Sequence, residues 1–169
     1  IEWHDDLPAG MLEFDAFKLG VAVDSVVENA FKFGGRRPPE VCFYLSTRPV
    51  VAARREEAQR DAADLTPGFL RPAPGGGDGG IGIPRADLML VAEVRDDGIG
   101  IPRAEQQAIF QPFTQALNSP TRGVRGAGLG LAMAKRIVDA HGGEIFCRSA
   151  VNQGTVFYLA VPAAPAHGA

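Results

Sequence analysis

The chain has little of what marks several common functional classes. Only two cysteines occur in its 169 residues, Cys42 and Cys147. They lie far apart with no metal-ligand or redox spacing, and read as small buried apolar residues in strands rather than a disulfide or a site. A basic excess is missing too: the formal net charge is -3, which argues against a nucleic-acid binder. No apolar run is long enough to span a membrane, and the opening Ile1-Glu2-Trp3-His4 lacks the basic-then-apolar pattern of a secretory signal. Histidine is scarce, with three residues. No Ser/His/Asp or Cys/His set is evident, nor a His/Cys metal cluster. His4 reads as an idle residue near a terminus, and His141 as a helix end, a residue type that suits the dipole there.

What is present fits one domain. Hydrophobic residues make up 46% and charged residues 22%, ordinary values for a soluble globular chain with a real core. The chain begins without Met and directly in strand-like sequence, which reads as a piece of a longer protein. Residues 1–15 read as a short strand and a turn at Leu7-Pro8-Ala9-Gly10. Phe17, Val21, Val23, Val27, Ala30 and Phe31 predict a helix from Asp15 to about Gly34-Gly35. Alternation about Val41, Phe43 and Leu45 predicts a strand, and a second runs over 88–94. Residues 103–110 read as one short helix with Pro102 in its first turn, and 111–126 as a mobile loop. Leu131, Ala134, Ile137 and Val138 share one face of a helix stopped by Gly142-Gly143. Two strands, 144–149 and 155–161, flank a turn with Asn152 and Gly154, and the tail 163–169 reads as disordered.

One stretch, 46–86, stands apart. Its charged, Ala-rich part from 54 to 64 reads as a short exposed helix. The glycines and prolines that follow, with Gly75-Gly76-Gly77-Asp78-Gly79-Gly80 at their centre, cannot pack a core. We read 46–86 as an insertion within one domain, 1–162, because strand pattern resumes at Leu88. A linker between two domains would leave neither half with enough core.

Four blocks carry chemistry: Glu28-Asn29-Ala30-Phe31-Lys32-Phe33, Asp96-Asp97-Gly98-Ile99-Gly100-Ile101-Pro102, Ile109-Phe110-Gln111-Pro112-Phe113 and Gly126-Ala127-Gly128-Leu129-Gly130-Leu131. Asp96 closes a predicted strand, where a carboxylate can accept a hydrogen bond from the exocyclic amine of adenine. Gly98 and Gly100 let the backbone turn and leave room for a flat base. Alone, the block is better read as an Asp-Gly turn without a ligand. The Gly126 block opens a helix, whose free N–H groups and dipole suit phosphate oxygens. It lacks the preceding strand of a dinucleotide fingerprint and the Gly-Lys-Ser/Thr ending of a P-loop. A Gly-rich start to a packed helix is the bland alternative. Asn29 and Lys32 share a helix face. The amide oxygen can ligate Mg2+ that phosphates and water otherwise hold, and the lysine can neutralise phosphate charge. Glu28 and Lys32 are equally well spaced for a plain i,i+4 ion pair. Arg122 and Arg125 can swing onto a terminal phosphate or stay solvated, two readings of equal weight.

Together and in this order the blocks resemble the N, G1, F and G2 boxes of the sensor histidine kinase catalytic and ATP-binding domain, of the GHKL ATPase superfamily, over about 7–162. The resemblance implies an α/β fold: a two-layer sandwich, a mixed and largely antiparallel sheet with helices on one face, and a mobile ATP lid. It implies ATP and Mg2+. Asn29 would hold the metal and, with Lys32, position the phosphates. Lys32 and Phe33 would line the phosphate and nucleoside side, Asp96 would read the adenine amine, and Gly98, Gly100 and Ile101 would shape the base pocket. Residues 103–126 would be the lid, with Phe110 and Phe113 packing its hinge and Arg122 and Arg125 near the nucleotide. Gly126, Ala127, Gly128 and Gly130 would wrap the phosphates, with Leu129 and Leu131 anchoring that loop.

The implied activity moves the terminal phosphate of ATP to a histidine on a separate dimerisation domain, for onward transfer to a response regulator. The setting would be a bacterial, cytoplasmic two-component system, with no membrane contact by this domain. No segment of the chain matches the His-Glu, basic residue, Thr-Pro pattern of the acceptor. Two departures keep a second reading open, a degenerate, non-catalytic nucleotide-binding or protein-interaction module regulating a signalling protein. Ser25 stands where such kinases commonly carry a first Asn. Cousins resembling gyrase, Hsp90 and MutL place a general-base Glu there, so Ser25 counts against a self-contained ATPase. Ala127 replaces a small hydroxyl residue, deleting a hydrogen bond worth roughly 0.5–1.5 kcal/mol. The insertion would be a docking surface, a regulatory flap or a neutral decoration.

Overall fold

The computed structural model describes residues 2–5, 12–13, 15–60, 87–114 and 128–165. In chain order the elements are β1 (Glu2–Asp5), β2 (Leu12–Glu13), α1 (Ala16–Phe33), β3 (Glu40–Thr47), α2 (Arg48–Arg60), β4 (Leu88–Asp96), α3 (Gly130–Ala140), β5 (Glu144–Ala150), β6 (Gly154–Pro162) and β7 (Ala164–Pro165). Between β4 and α3 the expected single helix at 103–110 is instead two 3-10 turns, Arg103–Glu105 and Ala108–Phe110. Such short turns fit a segment that must bend back against the sheet rather than lie along it.

Helix α1 starts where the Asp15 carboxylate accepts the Lys18 N–H at 3.0 Å, satisfying one of the helix's free donors. Leu19, Ala22, Val23, Val26, Val27 and Ala30 form its buried face, at the three-and-four spacing of an amphipathic helix. Phe17 and Phe31, taken from the sequence as inner-face residues, lie off that arc and are 81% and 56% exposed.

The main sheet runs β1-β3-β4-β6-β5 in space, with β1 parallel to β3 and the other pairs antiparallel. Helices α1 and α3 cover one face, over Val41, Leu90, Val94, Ile145, Phe157 and Leu159. These two helices and the mixed, largely antiparallel sheet make the two-layer α/β core that the blocks implied, to which the insertion adds one further helix on the opposite face.

Helix α2 covers the other face. It begins directly after β3 and buries Val51 and Ala58 against Cys42, Tyr44, Met89, Val91, Phe146 and Ala160. The segment read as a short exposed helix over 54–64 is therefore earlier, longer and packed. Its Arg54 Nη1 donates to Tyr44 Oη at 2.6 Å and lies 3.8 Å from Glu93 Oε2, with the guanidinium over the Tyr44 ring. Arg55 pairs with Glu144 at 2.9 Å, and the Arg103 guanidinium donates to the Gln59 carbonyl in the last turn of α2. With both faces covered, all but one position of β4 is buried.

Thr47 and Leu88 pair across β3 and β4, so the insertion leaves and rejoins the sheet at one point. Residues 61–86 lie outside the described residues. The tail also differs from expectation. Ala163 is buried and donates its N–H to Leu88 O at 3.0 Å, and Ala164–Pro165 pairs with β2. Only 166–169 fall beyond the description. Cys42 and Cys147 are buried, one in each core cluster, and are not joined in a disulfide.

Candidate nucleotide-binding site

The β4–β6 register sets Asp96 opposite Thr155 at the last paired position of the strand. The Asp96 side chain is 8% exposed, and its Oδ1 accepts the Gly98 N–H at 2.9 Å. Burial pushes its carboxyl up to about 6, while backbone hydrogen bonds from Gly98 and Thr155 hold it down and the Asp97 charge raises it further. A buried carboxylate held by backbone N–H groups at a strand end is a fixed polar anchor.

The end of α1 abuts this loop. Ile99 N–H donates to Phe33 O at 3.2 Å, and a Cβ placed on Gly34 would lie 3.8 Å from Asp96 Cβ. Asp97 serves the same junction: its Oδ1 accepts the Gly35 and Arg37 N–H groups at 3.2 and 3.3 Å. The crowding that Gly98 and Gly100 relieve comes from the fold itself. A side chain on Gly98 would strike Phe33 O, and one on Gly100, at φ +68, would strike Ala150 O.

Ser25, Asn29 and Phe33 lie at i, i+4 and i+8 on one stripe of α1, each half-buried. Ser25 sits by the start of α3, where a Cβ on Gly130 would be 3.8 Å from its own Cβ. Its hydroxyl donates to Val21 O at 2.9 Å within α1. Asn29 thus lies between the α3 N-terminus at one end of the stripe and the Asp96 loop at the other. Lys32 and Glu28 are exposed and paired at 3.3 Å, the plain ion pair of the bland reading.

Phe110 is buried and meets Phe157 edge-on, with ring centroids 6.3 Å apart. Phe113 does not pack the hinge as expected. It is 76% exposed at φ 62, and it acts through its backbone, whose N–H donates to Gly128 O at 3.1 Å. Leu131 packs on the core, but Leu129 is exposed and anchors nothing with its side chain. Helix α3 has no side-chain cap at Leu129, and its first N–H groups have no partner within the helix. Arg122, Arg125, Gly126 and Ala127 lie outside the described residues.

Behind the loop is a polar cluster that sequence reasoning missed. Ile101 N–H donates to Ser149 Oγ at 2.8 Å, and Gln106 Nε2 donates to Ile101 O and Ser149 O at 3.0 and 2.7 Å. Gln106 and Ser149 gave no signal because a lone polar residue in a strand or a short charged turn has no periodicity to betray it. Asp97 was visible as one of a doublet, but its role needs the spatial approach of Gly35.

No group of three or more His, Cys, Asp or Glu residues converges among the described residues. Half-buried Asn29 carries an amide on this stripe, and an amide oxygen can complete the shell of a divalent cation held mainly by a ligand's own phosphate oxygens. No helix among the described residues is long and apolar enough to cross a membrane.

Residues 14–165 match the family described as histidine kinase-, DNA gyrase B-, and HSP90-like ATPase, and the chain belongs to it. Among relatives, the sensor protein kinase WalK of Staphylococcus aureus is 40% identical over 150 residues, covering 89% of this chain and 27% of that protein. The fold matches full-length ShkA in complex with AMPPNP at a TM-score of 0.62 and 22% identity, over 99% of this chain and 26% of that one. The catalytic domain of histidine kinase ThkA matches at 0.55 and 20% identity, over 95% of this chain and 77% of that one. The resemblance drawn from the four blocks holds: the family is that of the ATPases, the relatives are sensor kinases, and the fold is that of histidine kinase catalytic domains.

Proposed function

We propose that the chain is the ATP-binding catalytic domain of a sensor histidine kinase in a two-component system. It takes Mg-ATP and donates the terminal phosphate to a histidine on a separate dimerisation domain, from which a response regulator is charged in the cytoplasm. The observation that carries this is the buried Asp96 carboxylate at the end of β4, set beside the last turn of α1. The carboxylate accepts the adenine amine, and Gly98, Gly100 and Ile101 back the base. Phosphates extend along the Ser25–Asn29–Phe33 stripe toward the first N–H groups of α3, with Lys32 released from Glu28 to meet them. Mg2+ on Asn29 supplies charge neutralisation on the phosphates. The residues 103–126 would close over the nucleotide, bringing Arg122 and Arg125 to the terminal phosphate, with Gly126 and Ala127 at the phosphate side.

Transfer forms a bond from phosphorus to the acceptor imidazole nitrogen as the bond to the bridging oxygen breaks, and ADP leaves. The imidazole proton passes to a base on the acceptor domain. This chain contributes position and electrostatic stabilisation rather than covalent chemistry.

The test is titration of the chain with Mg-ATP, then with a dimerisation domain supplied in trans. Asp96→Asn should abolish adenine recognition and keep the fold. Unchanged ATP and ADP affinity in that variant removes the adenine-site assignment. The second reading, a non-catalytic nucleotide-binding or interaction module, is favoured by Ser25, whose hydroxyl is committed to Val21 O. Tight ATP binding with no phosphate reaching the acceptor histidine would select it.

A further inference from the structure

The polar cluster behind the Asp96 loop is complete in a way that a decorative network would not be. Ser149 is fully buried, Thr155 is 3% exposed and Gln106 9%. The Ser149 hydroxyl donates to Gly154 O at 2.8 Å and lies 2.9 Å from Thr155 Oγ1. With the Ile101 N–H also bound, its single proton and both lone pairs are in use. Both amide protons of Gln106 are committed to carbonyl oxygens, one of them on Ile101. Both backbone groups of Ile101 are therefore held by side chains rather than by a strand or helix partner. On the other side of the loop, Ile99 O accepts the Asn152 N–H at 2.8 Å, and Ile99 N–H goes to Phe33 O.

These partners have something in common. They converge on the segment from Ile99 to Ile101, joining it to the end of α1, to the β5–β6 end and to the turn at Gln106. The Ile101 side chain also packs on the core, but the polar bonds are directional and fix the orientation of its backbone. We infer that Gln106 and Ser149 are positioning residues, holding the base-reading loop in its binding shape before any nucleotide arrives. This rests on Asp96 reading adenine, and it adds a claim about what fixes the opposite wall of the same pocket. Neither side chain touches the nucleotide; each acts through Ile101.

The consequence is a selective loss when either is removed. A loosened loop loses base recognition, while contacts to phosphate along α1 and α3 are untouched. Gln106→Met keeps the length of the side chain and removes both donors. Ser149→Ala removes the hydroxyl with little change in volume. Each should weaken ATP binding by about tenfold, the scale of one buried hydrogen bond, and weaken GTP binding far less, so the preference for ATP over GTP narrows. Equal weakening of both nucleotides would mean a merely structural network and would overturn the inference, as would no weakening at all.

A measurement on the unaltered protein stands beside the variants, in case either fails to fold. Hydrogen exchange at the Ile101 amide should be slow without nucleotide and little changed by adding Mg-ATP. Fast exchange that slows only on binding would show that the nucleotide shapes the loop, which overturns pre-organisation. The Asp96→Asn variant separates the two claims. If it loses ATP while Gln106→Met and Ser149→Ala keep full affinity and preference, the adenine assignment stands and this inference falls. If unaltered protein binds no ATP, both fall.

Discussion

Asp97 and Gly35 stand 62 residues apart in sequence and are joined by a 3.2 Å hydrogen bond from the Gly35 N–H to Asp97 Oδ1. The same oxygen accepts the Arg37 N–H, so one side chain governs the way the chain leaves α1. Because Asn29, Lys32 and Phe33 ride on the last turns of that helix, the bond sets their place relative to Asp96.

Asp97→Ala should cost about 1 kcal/mol of stability, since the bonds lost are solvent-accessible. ATP affinity should fall by about threefold to tenfold, more than that stability loss explains in a protein still fully folded. Urea unfolding and nucleotide titration on one sample measure the two effects together.

The raised carboxyl of Asp96 makes opposing predictions for folding and binding. Between 3.8 and about 6 the folded protein keeps a proton that the unfolded chain has released. Stability from this group is therefore present at low pH and declines as pH rises through that window, by on the order of 3 kcal/mol. Adenine binding should move the other way, strengthening as the carboxylate ionises near pH 6. The Asp96→Asn variant should lose this component of both profiles, which chemical denaturation and titration across pH 4–8 would record.

Arg54 and Glu93 form a pair with side chains 13% and 6% exposed. Arg54→Met should destabilise the protein by about 3 kcal/mol at pH 8, because it removes the stronger of the two cations, with Arg95, that offset the buried Glu93 carboxylate. Burial already raises the Glu93 carboxyl, with Arg54 opposing. Without the arginine, Glu93 is protonated more readily, so the loss should shrink as pH falls toward 5. Denaturation midpoints at the two pH values test the sign.

Replacing residues 48–87 with an Asn-Gly turn should rejoin Thr47 to Leu88 as a tight hairpin, since those residues already pair. Nucleotide binding should stay nearly unchanged, because the Asp96 loop and the α1 stripe lie away from α2. Stability should drop by several kcal/mol, roughly the worth of burying two or three apolar side chains. The uncovered Tyr44, Val91 and Phe146 should drive self-association, visible by light scattering. Loss of nucleotide binding by a folded, monomeric deletion would show that α2 supports the site.

Much of the fold could be read in advance because its signals are local. The valines of α1, the alternation of β3 and the glycines after α3 announce their elements within a few residues. Helix α2 could not be placed, because its charged, alanine-rich stretch hides Val51 and Ala58 among exposed neighbours. A clue lay elsewhere: Leu88-Met89-Leu90-Val91-Ala92 is an unbroken apolar run, which suits a strand covered on both faces rather than one. At the site, Asp96 was legible from its block, whereas Phe113 and Leu129 were assigned packing roles that do not fit their exposed side chains. Ser149 and Gln106 could be found only once three separate stretches of chain were seen to meet.

The close quarters around Gly98, Gly100 and Gly154 bear on how such chains decay. A side chain at Gly154 would collide with Asp96 O, as those at the other two would with Phe33 O and Ala150 O. Selection for an intact architecture alone would retain all three glycines after every trace of catalysis had gone. In a diverged paralogue the glycine signature would thus report ancestry and would carry no witness to continued use.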